Sequence, residues 1–324
     1  MTTVAMRTAM RIWVWCLLTP LALAAWADSP PSMRSMQSLG VVYPDMREPF
    51  RSIFESIITG IAEQSGVPIV RLALEADADS AAAGQWLKDQ RISAAICLGN
   101  RARQVTTPLK DRVPMVIGGV LSSPELQQEG WHGVVLNPDP ETLFDELVRL
   151  LPEVRRVHLV YAKESDDWLL DLAEKAAKAR GIKLVKHLVF TPSAASMTFR
   201  RLIGGMDGHT EAIWILQNQA EIGMDALLPY VLKQAWEHLV PVFSSTPNHV
   251  QQGALFSVFP DHRAMGHRLV QRLDKMRAGN DDSVPPLEAA RDVKLVVNLR
   301  TLEHLDIELS QQERDRIELT FPDR

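Results

Sequence analysis

Cysteine is almost missing from this chain: its 324 residues hold two, Cys16 and Cys97. Cys16 falls in a leader segment read below as removable, so a mature chain keeps one thiol and no intramolecular disulfide. Stability then has to come from core packing. There is no cysteine pair at zinc-site spacing, no G-x-S-x-G elbow, no G-x-x-x-x-G-K-[ST] phosphate loop and no H-E-x-x-H helix. The nine histidines are scattered, and His262 and His267, five apart on one helix, do not share a face. These absences argue against an enzyme and against any metal or cofactor. Low-complexity runs and tandem repeats of about 20 to 50 residues are lacking too, which excludes a solenoid.

Acidic residues are missing from positions 1–27, where Arg7 and Arg11 precede an apolar run that ends at Ala25-Trp26-Ala27. That order fits a secretory signal with a small-x-small cleavage site. A membrane anchor is the competing reading, but Pro20 interrupts the run and a Pro/Ser-rich stretch, Asp28 to Ser35, follows it. Trp13, Val14 and Trp15 do not make the small-residue approach that a lipidated Cys16 needs. Positions 1–27 are therefore excluded from the fold, 28–37 read as a linker, and the periplasm is the expected location. Without Arg7 and Arg11 the formal charge falls from −5 to −7, which disfavours nucleic acid and anionic membrane as main partners.

What remains alternates strand-like and helix-like stretches. Strands are expected at 39–43, 67–74, 94–98, 113–120 and 133–136, with helices between, including one whose face is Phe50, Ile53, Phe54, Ile57, Ile58 and Ile61 and which Gly66 stops. Near-continuous apolar strands between helices indicate a parallel sheet covered on both faces. The pattern then restarts: Leu39 to Tyr43 (LGVVY) is echoed by Val157 to Tyr161 (VHLVY), each followed by a polar loop and an amphipathic helix. Further strands are expected at 183–190, 212–216, 241–244, 254–259 and 293–297. Asp261 and Asn298 read as helix caps and Ser310-x-x-Glu313 as a capping box. Two α/β lobes joined near 134–139 result, with function in the cleft between them.

Three stretches carry a family resemblance: GVVLNPDPETLFDELVRLLPEVRRVHLVY (133–161), GALFSVFPDHRAMGHRLVQRLDKMRAG (253–279) and KLVVNLRTLEHLDIEL (294–309). Together they resemble the ABC-transporter substrate-binding family whose better-known members bind tryptophan or phenylalanine, a branch of the type I periplasmic binding proteins. The resemblance implies two Rossmann-like lobes with parallel sheets joined by three crossover strands. Lobe I would take 38–135 plus about 260–283, and lobe II 136–259 plus about 284–324. It also implies a monomer that binds a small-molecule ligand and docks on a membrane permease. A periplasmic sensing subunit that regulates a membrane receptor would use the same hinge. LacI-type regulators share the fold, but a secretion signal stands where their helix-turn-helix would be.

In open parallel sheets, ligands sit beyond the carboxyl ends of the strands. The candidate residues there are Tyr43, Asp45, Asn100, Arg101, Gly119 and Ser122 in the first half. In the second they are Glu164, Ser165, Asp166, Trp168, Asn218, Gln219 and Ser244. Asn100 and Arg101 suit a carboxylate or phosphate, whereas acids in the second half suit an amine, so a zwitterion such as an amino acid is the expected ligand. Trp168 could stack on an aromatic ligand or simply pack between lobes, and Asn218 and Gln219 either read a polar group or cap the next helix. The chain departs from the family at its ligand loops. Gly99-Asn100-Arg101-Ala102-Arg103 replaces a Gly-Thr-Pro-Ala-Ala-like turn, Gln217-Asn218-Gln219 a Thr-Asp-Asn-Thr-like one, and Ser122-Ser123-Pro124 an Asp-Pro-Val-like one.

Overall fold

The chain crosses between two β-sheets three times, and its cores are arranged accordingly. The computed structural model describes residues 38–48, 50–162, 167–217, 219–279 and 285–322. The expected signal segment, the linker and the loop at 280–282 lie outside these residues. In chain order the first stretch is β1 (Ser38–Pro44), α1 (Phe50–Gln64), β2 (Ile69–Leu74), α2 (Ser80–Asp89), β3 (Ile92–Leu98), α3 (Gly99–Thr106), β4 (Met115–Gly118), α4 (Pro124–Gln128) and β5 (Gly133–Pro138). The second is α5 (Pro140–Leu150), β6 (Arg156–Ala162), α6 (Asp167–Ala179), β7 (Lys183–Val189), α7 (Pro192–Ile203), β8 (Glu211–Ile215), α8 (Met224–Glu237), β9 (Val242–Ser244), α9 (Pro247–Gln252) and β10 (Phe256–Pro260). The last is α10 (His262–Arg277), β11 (Leu287–Ala290), β12 (Val293–Asn298), α11 (Leu299–His304), α12 (Gln311–Asp315) and β13 (Ile317–Phe321).

One sheet has the order β11-β5-β4-β3-β1-β2 and the other β13-β12-β10-β9-β8-β6-β7. All ladders are parallel except β10 with β12. The parallel β-α-β succession follows from strands such as Ile92–Leu98, buried along most of their length, which need helices on both faces. On the first sheet, one face is covered by α2 and α3 through Leu87, Ala102 and Val105, and the other by α1 and α10 through Ile57, Ile61, Met265 and Leu269. On the second sheet, α5 and α6 supply Phe144, Leu147, Leu170 and Ala173 to one face, and α7 and α8 supply Phe199, Leu228 and Val231 to the other. Trp214, Phe243 and Phe256 stack across β8, β9 and β10, and Phe144 meets Trp214 edge-on at 5.6 Å.

Sequence expectations held at the caps and met their limits at edges and short elements. Asp261 accepts from the N–H of Arg263 and Ala264, Asn298 from that of Thr301, and Ser310 and Glu313 form the reciprocal capping box. Phe50, assigned to the buried face of α1, is 53% exposed, because the helix rolls so that Phe54, Ile57, Ile58 and Ile61 face the sheet. Residues from about 284 were expected in lobe II, yet β11 pairs with β5 in the first sheet and the chain enters the second only at β12. Gly99-Asn100-Arg101, read as a loop, opens the helix α3 instead.

The α1–α10 crossing depends on two helical glycines. A Cβ on Gly266 would lie 2.2 Å from the Ile57 carbonyl oxygen, and one on Gly60 would lie still closer to that of Arg263. At the edge of the crossing Arg263 and His267 hold the Glu63 carboxyl down to about 2. Alanine in a helix is favoured over glycine by about 1 kcal/mol, but overpacking costs about 1–3 kcal/mol, and backbone cannot yield as a side chain does. Gly266→Ala is therefore expected to lose about 2 kcal/mol net, read as a lower urea midpoint at unchanged m-value.

In the second sheet His158 Nδ1 lies 3.1 Å from His187 Nε2, with the rings stacked and Glu211 buried beside them. Burial pushes both imidazoles below the ordinary histidine value. Glu211 opposes the shift at His158, and His158 adds to it at His187. Because the unfolded chain protonates first, their contribution is present above the ordinary histidine pKa and is lost as pH falls below it. Denaturant titrations should show stability falling on acidification from pH 7 to 5, and less steeply in His187→Gln.

Candidate ligand cleft at the facing strand ends

The crossings determine which ends of the sheets meet. β5 ends at Pro138 and leads to α5 on the second sheet; β10 ends at Pro260 and leads to α10 on the first; β11 ends at Ala290 two residues before β12 begins. Each sheet thus borders the crossings with the carboxyl ends of its parallel strands, so the loops after β1, β3 and β4 face those after β6 and β8.

Backbone and ion pairs tie the three passes together. The Asp139 N–H donates to the Ala290 carbonyl at 2.8 Å, and the Asp261 N–H to that of Asp292 at 2.8 Å. Arg291 Nε donates to Asp139 Oδ2 at 2.9 Å, and Arg268 Nε to Asp292 Oδ2 at 2.5 Å. Asp139, almost fully buried, also caps α5 by accepting from the Glu141 N–H at 2.9 Å. The Asn-Pro-Asp-Pro stretch marked the break between halves, but nothing in the sequence signalled that Arg291 would reach Asp139 across 152 positions. Beside it Asn137 Oδ1 accepts from the Ser122 N–H at 2.7 Å, fixing the loop after β4 to the crossing strand.

In the first half the structure brings several candidates together. Tyr43 and Asp45 line a cavity of about 230 Å³ with Met46, Arg51 and Phe54. Phe54 backs the neighbouring turns: a Cβ on Gly119 would sit 3.0 Å from its ring and 3.5 Å from the Gly99 nitrogen. Gly119 has φ +66°, the left-handed region that glycine occupies without a Cβ penalty, so the chain turns sharply there and brings Ser122 to Asn137. Asn100 is exposed in the first turn of α3. Arg101 behaves differently from its expectation. Its Nη2 donates to the carbonyls of Ala76 and Ala78 at 2.8 and 2.6 Å and so pins the β2–α2 loop, while its buried Nε has no hydrogen-bond partner among the described residues.

Of the second-half candidates, Glu164, Ser165, Asp166 and Asn218 lie outside the described residues. Trp168, half-buried in the first turn of α6, packs against the core cluster of the first sheet that contains Val42, Leu74 and Trp86. Its ring therefore spans from one sheet to the core of the other. Gln219 follows β8 at 5% exposure, and its buried Oε1 has no hydrogen-bond partner. Ser244 is corrected by its surroundings: fully buried, its hydroxyl donates to the Ile215 carbonyl, lies 2.7 Å from His249 Nδ1 and accepts from the Thr246 N–H. It is a scaffold residue. Cys97 is likewise buried, its thiol pushed up to about 12 by desolvation.

Two sheets whose strand ends face each other across three tied crossings have the architecture of the type I periplasmic binding fold. The ligand-free, open structure of a substrate binding protein with adhesive properties from Clostridium difficile superposes with TM-score 0.62 at 16% identity, over 87% of this chain and 98% of that one. An ABC domain in complex with L-Trp from Streptococcus pneumonia gives 0.50 at 18% identity, over 87% and 100%. At such identity the likeness is one of fold. A tyrosine-binding protein from Clostridioides difficile (strain R20291) is 22% identical over 166 residues, 50% of this chain, which spans 46% of that relative's length. Residues 75–314 match the family described as ABC transporter substrate binding protein, and the chain belongs to that family.

The crossing node makes a graded prediction. Asp139→Ala removes a helix cap and a buried charge partner and is expected to cost about 1–2 kcal/mol. Arg291→Ala, at a side chain 60% exposed, should cost less than about 1 kcal/mol. Urea unfolding of both variants tests the order; equal losses would mean the ion pair, not the cap, carries the node.

Proposed function

We propose that this protein is an extracytoplasmic solute-binding protein that closes its two halves around a small zwitterion, an amino acid or a close relative, and presents the closed form to an ABC permease. The leading segment supports export, and the tied crossings supply a hinge about which two rigid bodies could bend. The proposed ligand-contacting set is Tyr43, Asp45, Asn100, Gly119 and Ser122 from one side and Trp168 and Gln219 from the other. Glu164, Ser165, Asp166 and Asn218 join it on sequence grounds. Ser244 leaves it, its hydroxyl being committed within the protein, and so does Arg101, whose Nη2 is held by the Ala76 and Ala78 carbonyls.

The observation that carries this reading is Gln219. A buried amide oxygen without a partner costs about 1–3 kcal/mol, a penalty that a bound donor such as an ammonium group would relieve. Its position at the carboxyl end of β8 is where ligands meet parallel sheets. Trp168 and Tyr43 offer aromatic surface nearby in the fold. The exposed start of α3, with free N–H groups and Asn100, suits a carboxylate. The tyrosine-binding relative and the L-Trp complex favour an amino acid as the first class to try.

Thermal melting of the purified chain with each amino acid, its amide and its decarboxylated amine tests the proposal. Binding to the native state alone stabilises it by about 2.7 kcal/mol at a hundredfold excess over Kd. A true ligand should raise the Tm and lose most of its effect when either charged end is removed. Gln219→Leu should weaken binding at least tenfold while leaving unfolding free energy equal or higher. A full panel without any shift, or a ligand indifferent to Gln219, would overturn the reading.

A further inference from the structure

At the opposite end of the first sheet from the ligand loops, by the amino ends of β3 and β4, lies a cavity of about 290 Å³. Its walls are Leu87 from α2, Ile92 at the start of β3, and Leu109 and Val113 ahead of β4. Every ionisable side chain that lines it is cationic: Lys88, Arg91 and Arg112. All three are exposed, and none of their side chains makes a hydrogen bond or ion pair among the described residues. By contrast, Arg71, Arg103, Arg156, Arg180, Arg263 and Arg268 each meet a carboxylate.

A plain structural account covers part of this. Lys88 and Arg91 stand at the carboxyl end of α2, where cations offset the helix dipole. That end carries roughly half an elementary negative charge, less than two cations supply, and none of the three cations forms an ion pair with a carboxylate among the described residues. Asp89, next in sequence, is not in the wall and accepts from Gln85 Nε2 at 2.7 Å. The space itself is set by Gly84, where a Cβ would come 3.3 Å from Leu109 Cδ2. An apolar chamber at the small end of the size range for ligand sites, rimmed by unpaired cations, fits one kind of guest.

We propose that this cavity binds an anionic amphiphile, with a carboxylate or phosphate head held by Lys88, Arg91 and Arg112 and a short hydrocarbon body against Leu87, Ile92 and Leu109. The head supplies the charge the rim lacks, and the body removes apolar wall from water at about 25 cal/mol per Å². The site is independent of the ligand cleft and stands whether or not that cleft binds an amino acid. Two sources share the chemistry: free fatty acids and the headgroup region of anionic lipids.

Calorimetric titration of the full chain with sodium octanoate, octylammonium chloride and inorganic phosphate tests it. Octanoate should bind one per chain, at least tenfold more tightly than octylammonium or phosphate. The Lys88→Glu/Arg112→Glu double variant should weaken octanoate at least tenfold while keeping a single cooperative melting transition. Gly84→Val, which keeps every charge and fills the space, should do the same. Sedimentation with phosphatidylglycerol vesicles that the double variant loses would identify lipid as the source; octanoate binding without variant-sensitive sedimentation would identify a free amphiphile. Equal affinity for octanoate and octylammonium, or octanoate binding that survives both the charge reversal and the plug, would overturn the proposal.

Discussion

Asp139 sits where the fold is most constrained. A chain that passes between two sheets three times has to turn at three nearby points, and each turn leaves backbone groups that need partners away from water. Here each pass satisfies another's: the Asp139 amide takes the Ala290 carbonyl and the Asp261 amide takes that of Asp292. The carboxylate of Asp139 then serves two masters, the amino end of α5 and the Arg291 guanidinium. The first and second passes are thereby each locked to the third at the level of backbone, while the helices that leave them pack on opposite sheets. Bending between the halves has to be absorbed around this node rather than through it.

From that constraint the site follows. Because all passes leave from carboxyl strand ends, those ends must face each other, and the loops between strands and helices become the walls of a shared cleft. Trp168 is the clearest physical consequence, since a ring on the second sheet's helix finds its packing against the first sheet's core. Such a contact couples the two halves more tightly than the polar loops around it could. Gln219 shows the complementary feature, a buried amide oxygen with no hydrogen-bond partner among the described residues. One aromatic bridges the halves, and one amide oxygen lies unpartnered between a strand and a helix, which is the pair of features on which the proposed ligand site rests.

Much of this fold was legible because periodicity and caps are local. The isoleucines of α1, the buried runs at Ile92–Leu98 and Arg156–Ala162, and the caps at Asp261, Asn298 and Ser310 all lie in sequence beside the groups they act on. What escaped was long-range or tied to short elements. β11, four residues long, becomes a strand only because β5 offers an edge, and α3 is a helix whose opening residues read as turn formers. At the site the same division holds. Position at a strand end identified Tyr43, Gly119 and Gln219, whereas the fates of Arg101 and Ser244 were set by partners 25 and 29 residues away. The Arg291–Asp139 pair joins residues 152 apart and has no local signal at all.

Arg101 also bears on the proposed ligand site. A cation at the start of α3 would ordinarily be the natural anchor for an anionic ligand group, reinforced by the positive end of the helix. Here one terminal nitrogen of the guanidinium, Nη2, is turned back onto two carbonyls of the β2–α2 loop, and the buried Nε has no partner among the described residues. Held in this way, the side chain is not placed for a bidentate fork through both terminal nitrogens, and a carboxylate at that wall would lean on backbone N–H groups and the neutral amide of Asn100. On the proposed reading, recognition then leans toward the opposite wall, where Gln219 Oε1 has no partner among the described residues and Trp168 presents a half-buried ring. Discrimination on that reading rests on the shape and donor pattern of what faces Trp168 and Gln219.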